Sequence, residues 1–269
     1  MVNSFDKYKM TFDYHTHTTF SHGKGSIADN VKEASARGLC AIAISDHGPG
    51  HLTYGVKRKN FALMRKEIET LKPLYPDMDI YLSVEANIVS NGNHLDVTEE
   101  EMKWFDFIIG GYHYGIRKGY CVGNWLDKRG LVPGSIGKSL LVKNTDMTVK
   151  ALYDNNLRIL THPGDKGRFD IKEIAKACAA TDTWMEISTW HDHLTTEEIK
   201  IAATEDVKFI VSSDAHSPNR PDVFSRNRAR NRSERRRARQ SAIPLSIITV
   251  QVNTELKRRR ITMAFASSA

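Results

Sequence analysis

The sequence predicts an α/β protein, and most simply a barrel, on three observations along its 269 residues. Short apolar runs alternate with helix-like stretches, which is typical of parallel strands joined by crossover helices. Runs such as CAIAIS and KFIVSS are apolar almost throughout, as expected for strands covered on both faces. Seven runs of this kind follow one another within about 215 residues, and that number favours a closed barrel over an open sheet.

The elements are assigned in chain order from the apolar runs and the turn residues that bound them. The predicted strands cover residues 9–17, 39–48, 79–87, 105–113, 157–164, 183–191 and 207–216. The predicted helices cover residues 26–38, 59–75, 144–156, 170–180 and 195–206. Ser26 suits the N-cap of the first helix, and Gly38 suits its C-terminal end. We expect one domain over residues 1–269, since single barrels reach this length.

Residues 115–143 interrupt this rhythm, because they form a long connection between the fourth strand and the next helix. The stretch contains glycine, proline and several basic side chains. Long connections of this kind often act as lids over a functional site. The alternative is a surface excursion without such a role.

The composition is that of an ordinary globular protein, with 40% hydrophobic and 26% charged residues. No apolar run approaches the ~20 residues needed to cross a bilayer, and the first residues lack the apolar stretch of a signal peptide. We therefore expect a cytoplasmic protein without membrane contact. The three cysteines, Cys40, Cys121 and Cys178, form no CxxC pair, so we expect buried thiols rather than disulfides or a thiolate metal site.

The net charge of +7 is concentrated in one segment. Residues 226–239, RNRARNRSERRRAR, contain eight arginines and one glutamate and so carry a local charge equal to that of the whole chain. A solvated basic face is the commonest reason for such a run. The alternatives are a surface that attracts nucleic acid or acidic substrates, and a local irregularity such as a reading-frame shift that leaves a poorly packed helix.

Histidines and carboxylates fall at the ends of the predicted strands. They are His15, His17, His47, Glu85, His113, His162, Asp214 and His216. In a parallel barrel the C-terminal strand ends open on one face, so residues far apart in sequence converge there. Clustered imidazoles are costly to bury unless every nitrogen is satisfied, and a divalent cation satisfies imidazole and carboxylate together. The pattern therefore predicts a metal site.

These motifs resemble the polymerase and histidinol phosphatase (PHP) family of metal-dependent phosphoesterases. The resemblance runs from about Thr11 to Arg220 through DYHTHTTFSH, ISDHGP, VEAN, GGYH, THPG and SSDAH, and it is closest to the small stand-alone phosphatase branch. It implies a distorted seven-stranded (β/α)7 barrel, TIM-like, with a site for two to three metal ions at the C-terminal strand ends.

The resemblance also implies which side chains hold each ion. The first ion would be held by His15, His17, Glu85 and Asp214, the second by Glu85, His113 and His162, and the third by His22, His47 and His216. Mixed imidazole and carboxylate sites accept zinc, manganese or iron, so the identity of the metal stays open. Glu186 matches a family position that supports the site. No catalytic side chain is assigned beyond the ligands.

Three basic residues near the predicted site are candidates for binding a substrate phosphate. Lys24 lies in the turn GKGS before the first helix, where free amides favour anions. Lys166 and Arg168 follow His162 closely and are expected at the rim of the barrel. His191 and His193 match no family ligand, and we interpret them as polar loop residues.

The expected function is hydrolysis of small phosphate monoesters by a metal-activated hydroxide, as in histidinol phosphatases. The first alternative is a nuclease or phosphodiesterase, which would use the basic segment. The second is a metal-binding module without catalytic activity. The expected partner is a small phosphorylated substrate, with nucleic acid as the less favoured possibility, and the oligomeric state stays open.

Overall fold

A computed structural model describes residues 10–219 and the backbone of residues 251–254 and 259–262. Strands and helices alternate through the first of these ranges. Its strands are β1 (Phe12–Thr16), β2 (Ala41–Ile44), β3 (Asp79–Asn87), β4 (Phe107–Gly111), β5 (Leu157–Leu160), β6 (Trp184–Ser188) and β7 (Phe209–Ser212). Its helices are α1 (Ile27–Ala36), α2 (Phe61–Leu71), α3 (Glu99–Met102), α4 (Cys121–Asp127), α5 (Gly134–Asp154), α6 (Ile171–Ala180) and α7 (Thr196–Ala202), with short 3₁₀ turns at Arg58–Asn60 and Lys72–Leu74.

The seven strands form one parallel sheet in sequence order. A bridge between Thr16 and Ala215 brings the chain after β7 beside the end of β1, and the amide of His17 donates to the carbonyl of Ala215 at 2.8 Å. The sheet is therefore a nearly closed barrel. The predicted distorted (β/α)7 barrel is confirmed, with register shifts along β1 and β4 as visible distortions.

The apolar residues form an inner and an outer core. Side chains from six strands meet in the inner core, which contains Phe12, Ile109, Ile159 and Ile210. Because strand residues alternate between faces, the other strand side chains pack outwards against the helices. The two cores fix the strands, and hence the polar side chains at their C-terminal ends.

The stretch 115–143 is more regular than the sequence predicts. It contains α4 and the first half of α5, which begins at residue 134 rather than at the predicted 144. Gly134 and Gly137 lower the helix propensity there, so the pattern does not indicate a helix. Tertiary packing overrides it: Leu140 is buried, and the buried amides of Asn124 and Asn144 exchange hydrogen bonds of 2.9 and 2.8 Å between α4 and α5.

The cysteine prediction is only partly correct. Cys178 is fully buried, Cys121 is half-buried and Cys40 is exposed, and all three are free thiols. Cys40 is exposed because it directly precedes β2, where its Sγ donates to the carbonyl of Thr11 at 2.9 Å. The expectation of a buried thiol is therefore wrong for Cys40.

The C-terminal part of the chain is described only in two strands, β8 (Gln251–Thr254) and β9 (Arg259–Thr262), which pair antiparallel. The basic segment 226–239 lies outside the described residues. One domain over residues 1–269 therefore stays a prediction. In the parts of the chain that the structure describes, no helix combines the length and the apolar character needed to cross a bilayer.

Candidate metal centre

Glu85 is fully buried near the end of β3 and lies among five histidines. Its Oε1 is 3.2 Å from His113 Nε2 and 3.0 Å from His162 Nε2. Its Oε2 is 2.9 Å from His47 Nδ1, 3.3 Å from His15 Nε2 and 3.7 Å from His17 Nε2. Burial raises the pKa of Glu85, but the histidines outweigh burial and hold the pKa well below its usual range. Glu85 is thus an ionised carboxylate with imidazoles on both oxygens.

The tautomer of His113 follows from a chain of hydrogen bonds. Asn87 donates its amide Nδ2 to the carboxylate of Asp96 at 2.5 Å and to the carbonyl of Gly48 at 3.2 Å. Its Oδ1 is therefore free to accept from His113 Nδ1 at 2.8 Å. Because Nδ1 carries the proton, Nε2 of neutral His113 is an acceptor, and it faces the carboxylate of Glu85. A divalent cation between these two acceptors would satisfy both of them.

Glu186 orients His15 in the same way. Its Oε1 lies 2.7 Å from His15 Nδ1, and its Oε2 accepts from the amide of His162 at 2.9 Å. His15 Nε2 is then turned towards Glu85 and towards Asp214 Oδ1, at 3.6 Å. Burial lowers the pKa of His15, but Glu186, Glu85 and Asp214 outweigh burial and raise the pKa well above its usual value. Three carboxylates therefore stabilise positive charge at this point.

His17 completes this first group. Its Nε2 lies 3.1 Å from His15 Nε2 and 3.0 Å from Asp214 Oδ1. Burial, together with the neighbouring His47, holds the pKa of His17 well below its usual value, against the opposing effect of Asp214. A neutral His17 therefore turns one ring nitrogen to His15 and Asp214, the predicted ligands of the first ion.

The predicted third group is assembled less tightly. The centroid of the His22 ring lies 4.7 Å from that of His47 and 4.1 Å from that of His216. The ring of Tyr54 lies against His22 in a tilted arrangement, with 4.2 Å between the centroids. His216 Nδ1 donates to the carbonyl of Asp214 at 2.9 Å, which leaves its Nε2 as an acceptor. His47 belongs to this third group by prediction, but its Nδ1 also contacts Glu85, a predicted ligand of the first and second ions.

The side chains fit divalent cations. In the described residues, four groups of the predicted ligands place three ligand atoms within 4.8 Å of one another. They are His15–His17–Glu85, His15–His162–Asp214, His47–Glu85–His113 and His17–His47–His216. Every predicted ligand except His22 belongs to one of them. Buried atoms of these ligands, including His113 Nε2, His17 Nδ1 and Glu85 Oε2, have no hydrogen-bond partner among the described residues. Imidazole nitrogen and carboxylate oxygen suit zinc, manganese or iron.

Asp46 fixes the turn that carries His22, a role that the sequence analysis missed. Its buried carboxylate accepts from the amide and hydroxyl of Thr18 at 2.8 and 2.6 Å, and from the hydroxyl of Ser21 at 2.5 Å. These bonds tie the chain after β1 to the end of β2. The signal was present in the sequence, because Asp46 directly precedes the predicted ligand His47.

His191, a loop residue as the sequence predicts, also lies beside the metal centre, which its spacing does not indicate. Its Nε2 is 2.8 Å from Asp214 Oδ2, and its Nδ1 is 2.9 Å from Asp165 Oδ2. Burial lowers the pKa of His191, but hydrogen bonds to these two carboxylates outweigh burial and raise the pKa to about 9. His193, by contrast, contacts Glu198 of α7, in agreement with a loop position.

The three candidate phosphate-binding residues have different surroundings. Lys24 is exposed, and its amide donates to the carbonyl of His216 at 2.9 Å. Lys166 Nζ lies 2.5 Å from Asp165 Oδ2. Arg168 forms two hydrogen bonds with the carboxylate of Asp127, at 2.7 and 2.6 Å. Lys24 is thus joined through its backbone to the predicted ligand His216, and Lys166 contacts the neighbour of His191 at the centre, Asp165. Arg168 instead ties the loop after β5 to α4.

Comparisons of the sequence with known proteins find relatives that are named as phosphatases. A "probable phosphatase" from Proteus mirabilis (strain HI4320) is 27% identical over 180 residues. The match spans 65% of this chain and 63% of the relative, which is less than two thirds of the relative's length. A "probable phosphatase" from Acetivibrio thermocellus is 26% identical over 218 residues, which span 77% of this chain and 80% of the relative. Both names denote hydrolases.

A solved structure shows the same fold. It is histidinol phosphate phosphatase from Lactococcus lactis, complexed with zinc, L-histidinol and phosphate. It superposes with a TM-score of 0.55 over 82% of this chain and 91% of the other, at 16% sequence identity. The PHP domain model itself matches residues 13–194, which are more than half of the sequence and include seven of the predicted ligands. By this match the chain belongs to the PHP domain family.

Proposed function

We propose that the chain is a metal-dependent phosphoesterase that hydrolyses small-molecule phosphate monoesters, as histidinol phosphatases do. The proposal depends on one observation: the acceptor nitrogen of neutral His113, Nε2, faces the buried and ionised carboxylate of Glu85. The names of the relatives support phosphatase chemistry, and the zinc, L-histidinol and phosphate of the Lactococcus complex support a small phosphorylated substrate.

The proposed ligands are those that the family resemblance implies. The first ion takes His15, His17, Glu85 and Asp214, the second takes Glu85, His113 and His162, and the third takes His22, His47 and His216. Glu85 would contribute to both of the first two sites, in keeping with imidazoles near both of its oxygens. When bound, ions at such a centre lower the pKa of an attacking water and neutralise charge on phosphate oxygens.

The protein's own residues orient this centre and bind the substrate. Glu186 and Asn87 fix the tautomers of His15 and His113, a function that commonly raises metal affinity by 10–100-fold. His191 holds Asp214 Oδ2, so that Oδ1 points to His17. The predicted contacts of Lys24, Lys166 and Arg168 with the substrate phosphate belong to the same proposal.

Replacement of Asp214 by alanine tests the assignment. We expect Asp214→Ala to lower the hydrolysis of an aryl phosphate by at least about 10²-fold, the usual order for losing one group that stabilises transition-state charge. The measurement is phosphate release by the purified full-length protein, loaded with zinc, manganese or iron in turn. Asp146→Ala, on the exposed face of α5, is the matched control and is expected to keep the wild-type rate.

An unchanged rate in Asp214→Ala would remove the assignment. A substrate panel that includes histidinol phosphate and single-stranded DNA separates the alternatives. Faster release of nucleotides than of phosphate would favour the nuclease, and bound metal without turnover of any phosphoester would favour the binding module. Chelation should abolish hydrolysis, and readdition of the metal should restore it.

A further inference from the structure

Asp165 contacts two lysines and one histidine, which lie in three different connections of the barrel. It lies in the loop after β5 and is only 6% exposed. Lys166 Nζ lies 2.5 Å from its Oδ2, and His191 Nδ1, from the loop after β6, lies 2.9 Å from the same oxygen. Lys128, at the end of α4, donates to the Asp165 carbonyl at 2.6 Å and lies 3.7 Å from Oδ1.

This cluster borders the metal centre. The imidazole of His191 lies between the carboxylates of Asp165 and Asp214, at 2.9 and 2.8 Å. The amide of Asp165 donates to the carbonyl of His162 at 3.1 Å. Lys166 Nζ also lies 5.9 Å from the ring centroid of Tyr114, the residue after His113. The two lysines are therefore at the rim between β4, β5 and β6.

The loop that carries Asp165 and Lys166 is fixed by packing against α4 and α5. Asn144 of α5 donates to the carbonyl of Arg168 at 3.1 Å. A Cβ at Gly167 would lie 2.8 Å from the amide nitrogen of Asn144, so the loop packs directly on this helix. The paired Arg168 and Asp127 join the loop to α4 as well. The backbone segments that carry Lys128 and Lys166 are thus joined to each other before a ligand arrives.

The charges of the cluster favour an anion. Two lysines and one carboxylate leave one net positive charge, without counting His191. Each ammonium has three donors, so one bonded to Asp165 keeps two for a ligand. Preorganised ammonium groups are common ligands of phosphate.

We propose that Asp165 is a positioning residue that holds Lys128 and Lys166 as the subsite for the substrate phosphate. The inference rests on the proposed phosphatase function and extends it. It also gives the stretch 115–143 a role in substrate binding, because Lys128 belongs to it.

Lysine variants test the subsite. For Lys166→Met we expect about tenfold, and for the more exposed Lys128→Met about fivefold, weaker binding of inorganic phosphate, since charge-assisted hydrogen bonds are lost. The same factors should appear in KM for an aryl phosphate, with kcat within about twofold. Calorimetry on the metal-loaded full-length protein measures binding independently of turnover. Lys176→Met, which removes an exposed lysine of α6, is the matched control and should change neither quantity.

Asp165→Asn separates positioning from simple electrostatics. Removing a negative charge beside an anion site would strengthen phosphate binding if charge alone mattered. We expect about fivefold weaker binding instead, because the lysines lose the group that holds them. In a Lys128→Met, Lys166→Met background the same change should have little further effect, since residues that act together are not additive.

The outcomes distinguish this inference from the proposed function. Phosphate affinity unchanged in both lysine variants, or strengthened in Asp165→Asn, would overturn the subsite while wild-type hydrolysis still supported the phosphatase. Absence of hydrolysis in wild-type protein with bound metal would overturn the phosphatase, and the subsite with it.

Discussion

Glu85→Gln is expected to lower phosphoester hydrolysis by about 10³-fold and to release bound metal. Glutamine keeps the shape of the side chain but removes the charge that faces five imidazoles. Loss of one preorganised charge at a reacting centre costs on the order of 10²–10³ in rate, and Glu85 is the proposed ligand of two ions. The rate with an aryl phosphate and the metal content after dialysis measure the effect.

Glu100→Gln is the matched control, because the side chain of this glutamate of α3 is 81% exposed and contacts only a surface lysine, Lys103, among the ion pairs of the described residues. It should keep the rate, the metal content and the thermal unfolding midpoint of the wild type. Circular dichroism establishes that Glu85→Gln remains folded. A folded Glu85→Gln protein with wild-type activity would show that Glu85 is not the shared ligand.

Gly111→Ala is expected to have the second largest effect, about 10²-fold on activity. A Cβ at this position, the last of β4, would lie 2.6 Å from Glu85 Oε1, 2.5 Å from Thr161 Oγ1 and 2.6 Å from His113 Cε1. None of these buried groups can move freely, so the new methyl group must displace the carboxylate or the strand. Overpacking of this kind costs about 1–3 kcal/mol, and small displacements at a reacting centre reduce rates strongly.

Gly134→Ala provides the control for the same chemical change. Apart from its chain neighbours and the adjacent helix backbone, no atom of the described residues lies within 4 Å of a Cβ built there, at the first residue of α5. Alanine should leave activity unchanged and raise stability by up to about 1 kcal/mol, because it has the higher helix propensity. Equal activities of Gly111→Ala and Gly134→Ala would mean that the surroundings of Glu85 differ from those described.

The barrel and most of its ligands could be predicted from the sequence because the chemistry lies at strand ends. Apolar strands such as β2 and β7 are unambiguous in sequence, and the polar residue that follows each one must lie at the common rim. His47 after β2 and Asp214 after β7 are examples. The ligand groups required the family resemblance, since strand-end position alone does not pair distant residues.

Other features depend on tertiary contacts that no local pattern contains. The first half of α5 contains Gly134 and Gly137, and it packs against neighbouring segments. Leu140 lies against Gly123 of α4, and Gly137 lies against Arg168 of the loop after β5. The position of His191 in the sequence matches no ligand of the family, and only the fold brings it between Asp165 and Asp214. Asp46 and Asn87 were visible inside the motifs, but their roles follow from which donors reach them.

The central claim is that these side chains bind divalent cations, and metal content measures it most directly. Full-length protein, loaded with zinc, manganese or iron and then dialysed, should retain two or three ions per chain by elemental analysis. Glu85→Gln should retain fewer under the same treatment. Folded wild-type protein that retains less than one ion per chain with each metal would contradict the account.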